Sequence, residues 1–216
     1  MPEQPTPPPP SPAPPALILA GGLGRRINAP ALGVAEKPLV ALGGRPLIAH
    51  VIERLRPQAG PLLINANAPA GTYERFGLPL LPDTIAGYPG PLAGVLAGLD
   101  YLAQMAPASS LVTVAADTPF LPHDLVARLT ERHRETGTVV CAASGGQRHP
   151  VIALWPAAAR AALRQSLEAG RLKVGLLLDA LNAVTVSWDG LPDDPFFNVN
   201  TPEDLAIAEK RLAARQ

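Results

Sequence analysis

The apolar run Ala16-Leu17-Ile18-Leu19-Ala20 passes directly into Gly21-Gly22-Leu23-Gly24 and then Arg25-Arg26. A short, unbroken apolar run of this kind fits a strand buried on both faces, as in parallel sheets flanked by helices. Glycines after such a strand let backbone N–H groups approach a ligand without Cβ interference. The two arginines add planar, permanently charged forks that match phosphate oxygens. The spacing is not the dinucleotide fingerprint, and it lacks the G-x-x-x-x-G-K-[ST] pattern of the Walker loop. Taken alone, the turn is either a phosphate cradle or an ordinary tight turn.

The rest of the chain alternates between short apolar runs and longer amphipathic segments. Leu47, Ile48, Val51, Ile52 and Leu55 share one helical face. Residues 62–66, 78–81 and 111–116 read as strands, and 91–105 as a helix with Pro91 in its first turn. Asp124 can cap a helix carrying Leu125, Val126 and Leu129. Further strands are expected at 138–143, 151–154 and 183–188, with helices at 157–169 and 173–181. The last helix opens at Asn200-Thr201-Pro202-Glu203-Asp204, where Thr201 can cap, Pro202 takes the first helical position and the acids face the positive end. Strands alternating with helices imply an α/β domain with a mostly parallel sheet and helices on both faces. Ligands of such sheets bind beyond the carboxyl ends of the strands, where both Gly21 and Asp117 fall.

The chain has 216 residues, enough for one domain, assigned to 16–216 behind a proline-dominated segment at 1–15. That segment favours polyproline II and is expected to be a disordered tail. Formal charge is zero and no basic stripe is seen, which argues against a nucleic-acid surface. No apolar stretch is long enough to span a bilayer, and the N-terminus lacks a secretory pattern, so a cytoplasmic location is expected. The single cysteine, Cys141, sits in an apolar run and reads as a buried structural thiol. Lysines occur only at 37, 173 and 210. Lys37 therefore stands alone over a long stretch, close after the glycine turn.

Several residues could carry chemistry. Arg25, Arg26 and Lys37 near the turn suit a triphosphate, or a solvated loop. Asp117 follows the apolar run 111–116 and could hold Mg²⁺ together with phosphate oxygens and water, or cap a turn. Asp83 could assist a metal, contact a base or ribose, or be a turn residue. Asn65 and Asn67 could read a base edge, having both donor and acceptor, or serve a turn. Gly90 opens the helix at 91 and offers either N–H groups to a ligand or a close packing contact. His149 is scaffold or faces a substrate. Asn198 and Asn200, two apart, point the same way in extended chain and could orient an acceptor or tie down a loop.

Together the motifs resemble the molybdenum cofactor guanylyltransferase family. They are Leu19-Ala20-Gly21-Gly22, Arg25-Arg26, Lys37-Pro38-Leu39, Gly44-Arg45-Pro46-Leu47-Ile48, Asn65-Ala66-Asn67 and Tyr88-Pro89-Gly90-Pro91-Leu92-Ala93-Gly94, then Asp117-Thr118-Pro119-Phe120, His149-Pro150-Val151 and Phe197-Asn198-Val199-Asn200-Thr201-Pro202-Glu203-Asp204. The resemblance implies a three-layer Rossmann-like nucleotidyltransferase fold. It also implies transfer of GMP from GTP to the terminal phosphate of molybdopterin, with Mg²⁺ as cofactor. Carried over by motif, Leu19, Ala20, Gly21 and Gly22 would hold GTP, with Lys37 on its phosphates. Asn65, Asp83 and Gly90 would bind the nucleotide, Asp117 the metal, and Asn198 and Asn200 would lie toward molybdopterin. Molybdenum cofactor synthesis proteins and molybdoenzyme chaperones are the partners it implies. The link from Ile27 to Glu36 is longer than is usual in the family, and Glu36 stands where aspartate is usual. Rival readings are a cytidylyl- or sugar-phosphate nucleotidyltransferase, or a nucleotide-binding module without turnover. The Leu-Ala-Gly-Gly opening favours the guanylyl enzyme, since cytidylyl relatives usually show Leu-Ala-Ala-Gly.

Overall fold

Strand β1 (Ala16–Leu19) is an interior strand, third in order, of a seven-stranded sheet. The computed structural model describes residues 12–21, 36–85, 90–107 and 109–215. The other strands of this sheet are β4 (Leu62–Asn65), β5 (Leu80–Leu81), β6 (Leu111–Ala115), β7 (Val140–Ser144), β8 (Gln147–Trp155) and β9 (Val184–Ser187), in the spatial order β5-β4-β1-β6-β8-β7-β9. All pairings are parallel except those of β8, which runs against both β6 and β7. A two-stranded hairpin, β2 (Ala41–Leu42) and β3 (Arg45–Pro46), stands apart from this sheet.

Period-two alternation sorts side chains to the two faces. Ala16 and Ile18 of β1 join one cluster, which α1 (Leu47–Leu55) covers with Ile48, Val51, Ile52 and Leu55, and α3 (Leu125–Thr136) with Leu125, Val126 and Leu129. Leu17 and Leu19 face the opposite cluster. There α2 (Pro91–Met105), α4 (Ala159–Glu168) and α5 (Val174–Ala180) pack. Each fully buried leucine or isoleucine contributes about 1.5–3 kcal/mol to this arrangement. The result is the expected α/β sandwich of helix, mostly parallel sheet and helix.

The last helix, α6 (Pro202–Ala213), belongs to neither layer. It sends Ala208, with Leu205 and Leu212 at the margin, into a third cluster with Val40, Leu42, Leu47, Phe120 and Val199. Its start is the expected one. Thr201 Oγ1 accepts from the Asp204 N–H, and Asp204 accepts from the Thr201 N–H, a reciprocal cap with Pro202 in the first turn.

Three local expectations change. Asp124 does precede α3 but makes no side-chain cap; its carboxylate accepts from the Trp188 indole N–H at 2.8 Å instead. The β2–β3 hairpin, which no periodicity announces, turns at Gly43 and Gly44 with φ of 57° and 75°, the positive pair that a tight two-residue hairpin requires. Strand β8 is longer than the 151–154 segment and contains Pro150. Proline cannot donate to a ladder, and the β7–β8 register slips between Cys141 and Ala142 so that Ala142 pairs with His149. Before β1, the carbonyls of Pro14 and Pro15 accept from the Gly60 and Val112 N–H groups. No helix among the described residues is long and apolar enough to cross a membrane.

Candidate active site

Beyond the carboxyl ends of β1, β4, β5 and β6 lies a cleft of about 630 Å³. Leu19, Ala20 and Gly21 reach it from the end of β1, Asn65 to Ala68 from β4, Asp83 from the chain after β5, and Ala115 to Asp117 from β6. Gly90 and Pro91 at the start of α2 close one side; Glu36, Lys37 and Pro38 close another, and Val151 and Asn198 complete the lining. The parallel pairing makes this convergence unavoidable. Leu19 is in register with both Asn65 and Ala115, so the chain leaves three adjacent strands at one level.

Two polar assemblies occupy the cleft. The first is built on Asp83. Asn65 Nδ2 donates to Asp83 Oδ1 and to the Leu81 carbonyl, both at 3.0 Å. Asn67 Nδ2 donates to Asp83 Oδ2 at 2.8 Å, while its Oδ1 accepts from the Asp83 N–H at 2.9 Å. Each carboxylate oxygen thus receives one amide hydrogen and keeps capacity for another donor. Asn65 is buried beneath α2, where Gly94 leaves room for its amide.

The second assembly centres on Lys37, which starts a short 3-10 turn at Lys37–Leu39. Its ammonium pairs with Asp117 Oδ2 and donates to Asn200 Oδ1 at 2.8 Å. Asp117 Oδ1 is buried with no hydrogen-bond partner among the described residues. Beside it, Thr118 Oγ1 donates to Asn198 Oδ1 at 2.6 Å, and the Val199 N–H donates to the Asp117 carbonyl at 2.9 Å. Burial raises the Glu36 pKa above its ordinary value. Tyr73, fully buried, has its phenol pushed up by burial and then by the Glu36 charge.

A buried carboxylate oxygen with no partner among the described residues, on a side chain that lines the cleft, fits a hard cation. Among the described residues no three or more His, Cys, Asp or Glu gather to hold a metal. The donor set therefore fits an ion that takes one protein carboxylate and completes its shell with phosphate and water, as Mg²⁺ does, and not a closed zinc site.

The expected residues Leu19, Ala20, Gly21, Lys37, Asn65, Asp83, Gly90, Asp117 and Asn198 line this one cleft, and Asn200 touches it through Lys37. Gly22, Arg25 and Arg26 lie outside the described residues. Val151, the last residue of the His149-Pro150-Val151 motif but not among the expected site residues, joins the lining, and the irregularity around Pro150 leaves it without a partner in the β7–β8 register. His149 does not line the cleft. It is hydrogen-bonded with Ser144 Oγ at 2.7 Å and packs against Phe196 in a tilted contact, with ring centroids 4.7 Å apart. Cys141 is buried, and burial pushes its thiol pKa up to about 11.

Residues 16–183 match the MobA-like NTP transferase domain family. A molybdenum cofactor guanylyltransferase of Bradyrhizobium sp. (strain ORS 278) is 49% identical over 205 residues, covering 94% of each chain. One from Rhodopseudomonas palustris (strain BisB5) is 47% identical over 93% of this chain and 94% of its own. Among solved structures, molybdopterin-guanine dinucleotide biosynthesis protein A from Archaeoglobus fulgidus superposes with a TM-score of 0.75 at 26% identity, covering 93% of this chain and 99% of that one. With its strand-end cleft and near-complete coverage by these relatives, the chain belongs to the molybdenum cofactor guanylyltransferase family of nucleotidyltransferases.

Proposed function

We propose that this chain transfers GMP from GTP to the terminal phosphate of molybdopterin, producing the guanine dinucleotide cofactor and pyrophosphate. The observation that carries this reading is the convergence of Gly21, Lys37, Asp83 and Asp117 on one cleft. Asp83 is the base-reading group. Its carboxylate, held by Asn65 and Asn67, can accept from adjacent ring N–H and amino donors. Guanine presents such a pair; cytosine presents one amino group beside a ring nitrogen that only accepts.

In the reaction, an oxygen of the molybdopterin phosphate attacks the α-phosphorus of GTP. The bond from that phosphorus to the β-phosphate bridge oxygen breaks, and pyrophosphate leaves with the electron pair. The attacking phosphate is already anionic, so no general base is required. The protein's work is to align two anions and to neutralise the charge that grows on the leaving group. Lys37 supplies a fixed ammonium for the phosphates, and Gly21 lets backbone donors approach them. Arg25 and Arg26 are assigned to the β and γ groups. Asn198 and Asn200 face the acceptor. Mg²⁺ would be held by Asp117 through its orphaned Oδ1 and, when bound, would polarise phosphate oxygens and offset their charge. In this reading the reaction takes place in the cytoplasm, and its product passes to molybdenum cofactor synthesis proteins and molybdoenzyme chaperones.

Pyrophosphate release tests this directly, with GTP or CTP offered beside molybdopterin or a sugar phosphate. Release with GTP and molybdopterin alone is the expected result. Equal release with CTP, release with a sugar phosphate, or nucleotide binding with no release would each replace the proposal by one of its rivals.

A further inference from the structure

The orientation of the Asn200 amide is unambiguous, because its Oδ1 faces an ammonium that can only donate. What anchors Asn200 from behind lies outside the cleft. Its backbone N–H donates to Asp204 Oδ2 at 2.9 Å, and the Thr201 N–H donates to the same oxygen at 2.9 Å. The Asp204 N–H closes the box on Thr201 Oγ1 at 3.1 Å. The helix cap accounts for the two bonds between Thr201 and Asp204. The bond from Asn200, one residue before the cap, is additional to it.

We propose that Asp204 is a positioning residue for Lys37. By holding the Asn200 main chain, it sets where Asn200 Oδ1 stands and so directs the Lys37 ammonium alongside Asp117. The intervening Val199 strengthens the link. Its side chain is fully buried against Val40, Leu42, Leu47 and Phe120, and its N–H is bonded to the Asp117 carbonyl. The Asp117 main chain and the chain that follows each charged group are thus fastened to the segment that leads into α6. Lysine has a long, flexible stem, and a fixed acceptor narrows the positions its ammonium takes. The inference rests on the reading of Lys37 and Asp117 as phosphate- and metal-facing groups.

Thr201→Ala and Asp204→Ala both break the cap of α6, and both should lower Tm by similar amounts. Only Asp204→Ala also releases the Asn200 N–H. With GTP and molybdopterin, Asp204→Ala is expected to lower kcat about ten-fold or more, the scale of a misaligned reacting group. Thr201→Ala should stay within about two-fold of the wild type, and Asp204→Asn, which keeps an acceptor oxygen, should recover most of the loss. Should Asp204→Ala not fold, Asp204→Glu preserves a helix-capping carboxylate and displaces it by one methylene; it should show the kcat loss with near-normal Tm. Equal kcat loss in Thr201→Ala and Asp204→Ala, or unchanged kcat in a folded Asp204 variant lacking the bond, would overturn the proposal. A second readout does not depend on turnover. The chain has three lysines, so the Lys37 side-chain nitrogen resonance can be assigned by substitution. In the ligand-free protein it should match the wild type in Thr201→Ala and shift in Asp204→Ala. If the wild type transfers no nucleotide but the resonance behaves in this way, the functional reading fails and the positioning role stands. If transfer occurs and the resonance is indifferent to Asp204, the positioning role fails.

Discussion

Replacing Gly94 by alanine should damage both stability and nucleotide binding, although alanine is the better helix former. A methyl group built there would stand 2.1 Å from Asn65 Oδ1, 2.7 Å from Asn65 Cγ and 2.8 Å from Leu19 Cδ2. Ordinary contacts lie at roughly 3.5–4 Å, so the amide must retreat by about 1 Å or more. Both Asn65 donor bonds stand at 3.0 Å, and a shift of that size takes them out of range. Losing two bonds, one to a charged acceptor, costs about 2–3 kcal/mol. Crowding adds about 1 kcal/mol or more, and the helix preference of alanine returns about 1 kcal/mol. The net expectation is a loss of about 2–3 kcal/mol, read as a lower urea midpoint at unchanged slope. Because Asn65 holds Asp83, GTP affinity measured by titration calorimetry should fall about ten-fold or more. Gly98→Ala is the matched control. Its methyl meets Leu111 Cδ2 at 2.6 Å and Leu17 Cδ2 at 2.8 Å, and not Asn65. It should lose stability and keep its GTP affinity. A Gly94→Ala protein as stable as the wild type, or one with undisturbed GTP affinity, would refute the reasoning.

Further expectations concern single side chains. Asp117→Ala should cut turnover by at least about 10²-fold at saturating Mg²⁺; near-normal turnover in a steady-state assay removes its proposed role. Burial holds the His149 imidazole below its ordinary pKa, more than the Asp194 charge raises it. The unfolded chain therefore binds the extra proton first as pH falls. The stability this residue contributes is complete above about pH 6.5 and is lost as pH drops toward the lower folded value. Urea midpoints collected from pH 7.5 to 5 should show that decline, and His149→Gln should flatten it. The buried Cys141 thiol, with a pKa near 11, should react with a thiol reagent no faster than the chain opens; rapid labelling of the native protein would contradict its burial.

Much of this molecule is legible where the signals are local. Pro91 in the first turn of α2 and the Thr201-Pro202-Asp204 box of α6 are chemistry between near neighbours, and both appear where the residues predict. The strand-end positions of Gly21 and Asp117 follow from apolar runs that stop there. Strand direction does not show in such runs, so the reversal of β8 is invisible apart from the Gly145-Gly146 turn before it. The β2–β3 hairpin has two-residue strands, too short for any periodicity, and only Gly43-Gly44 marks it. Asp124 offers a capping side chain, and the distant Trp188 claims it. In the cleft, the candidate residues can be named from their motifs. Their partners cannot, because Asn65 meets Asp83 across a pairing of neighbouring strands and Lys37 meets Asn200 across 163 positions.

That last separation bears on how the protein comes into being. The ribosome delivers Lys37 163 positions before Asn200. The strands β1, β4 and β6 can associate before α6 is made, and Lys37 and Asp117 are both present by then, but until Asn200 emerges the ammonium lacks its amide acceptor. Premature termination just short of Asn198 would thus leave a product with every strand of the sheet but without the Asn198 and Asn200 acceptors that Thr118 and Lys37 meet.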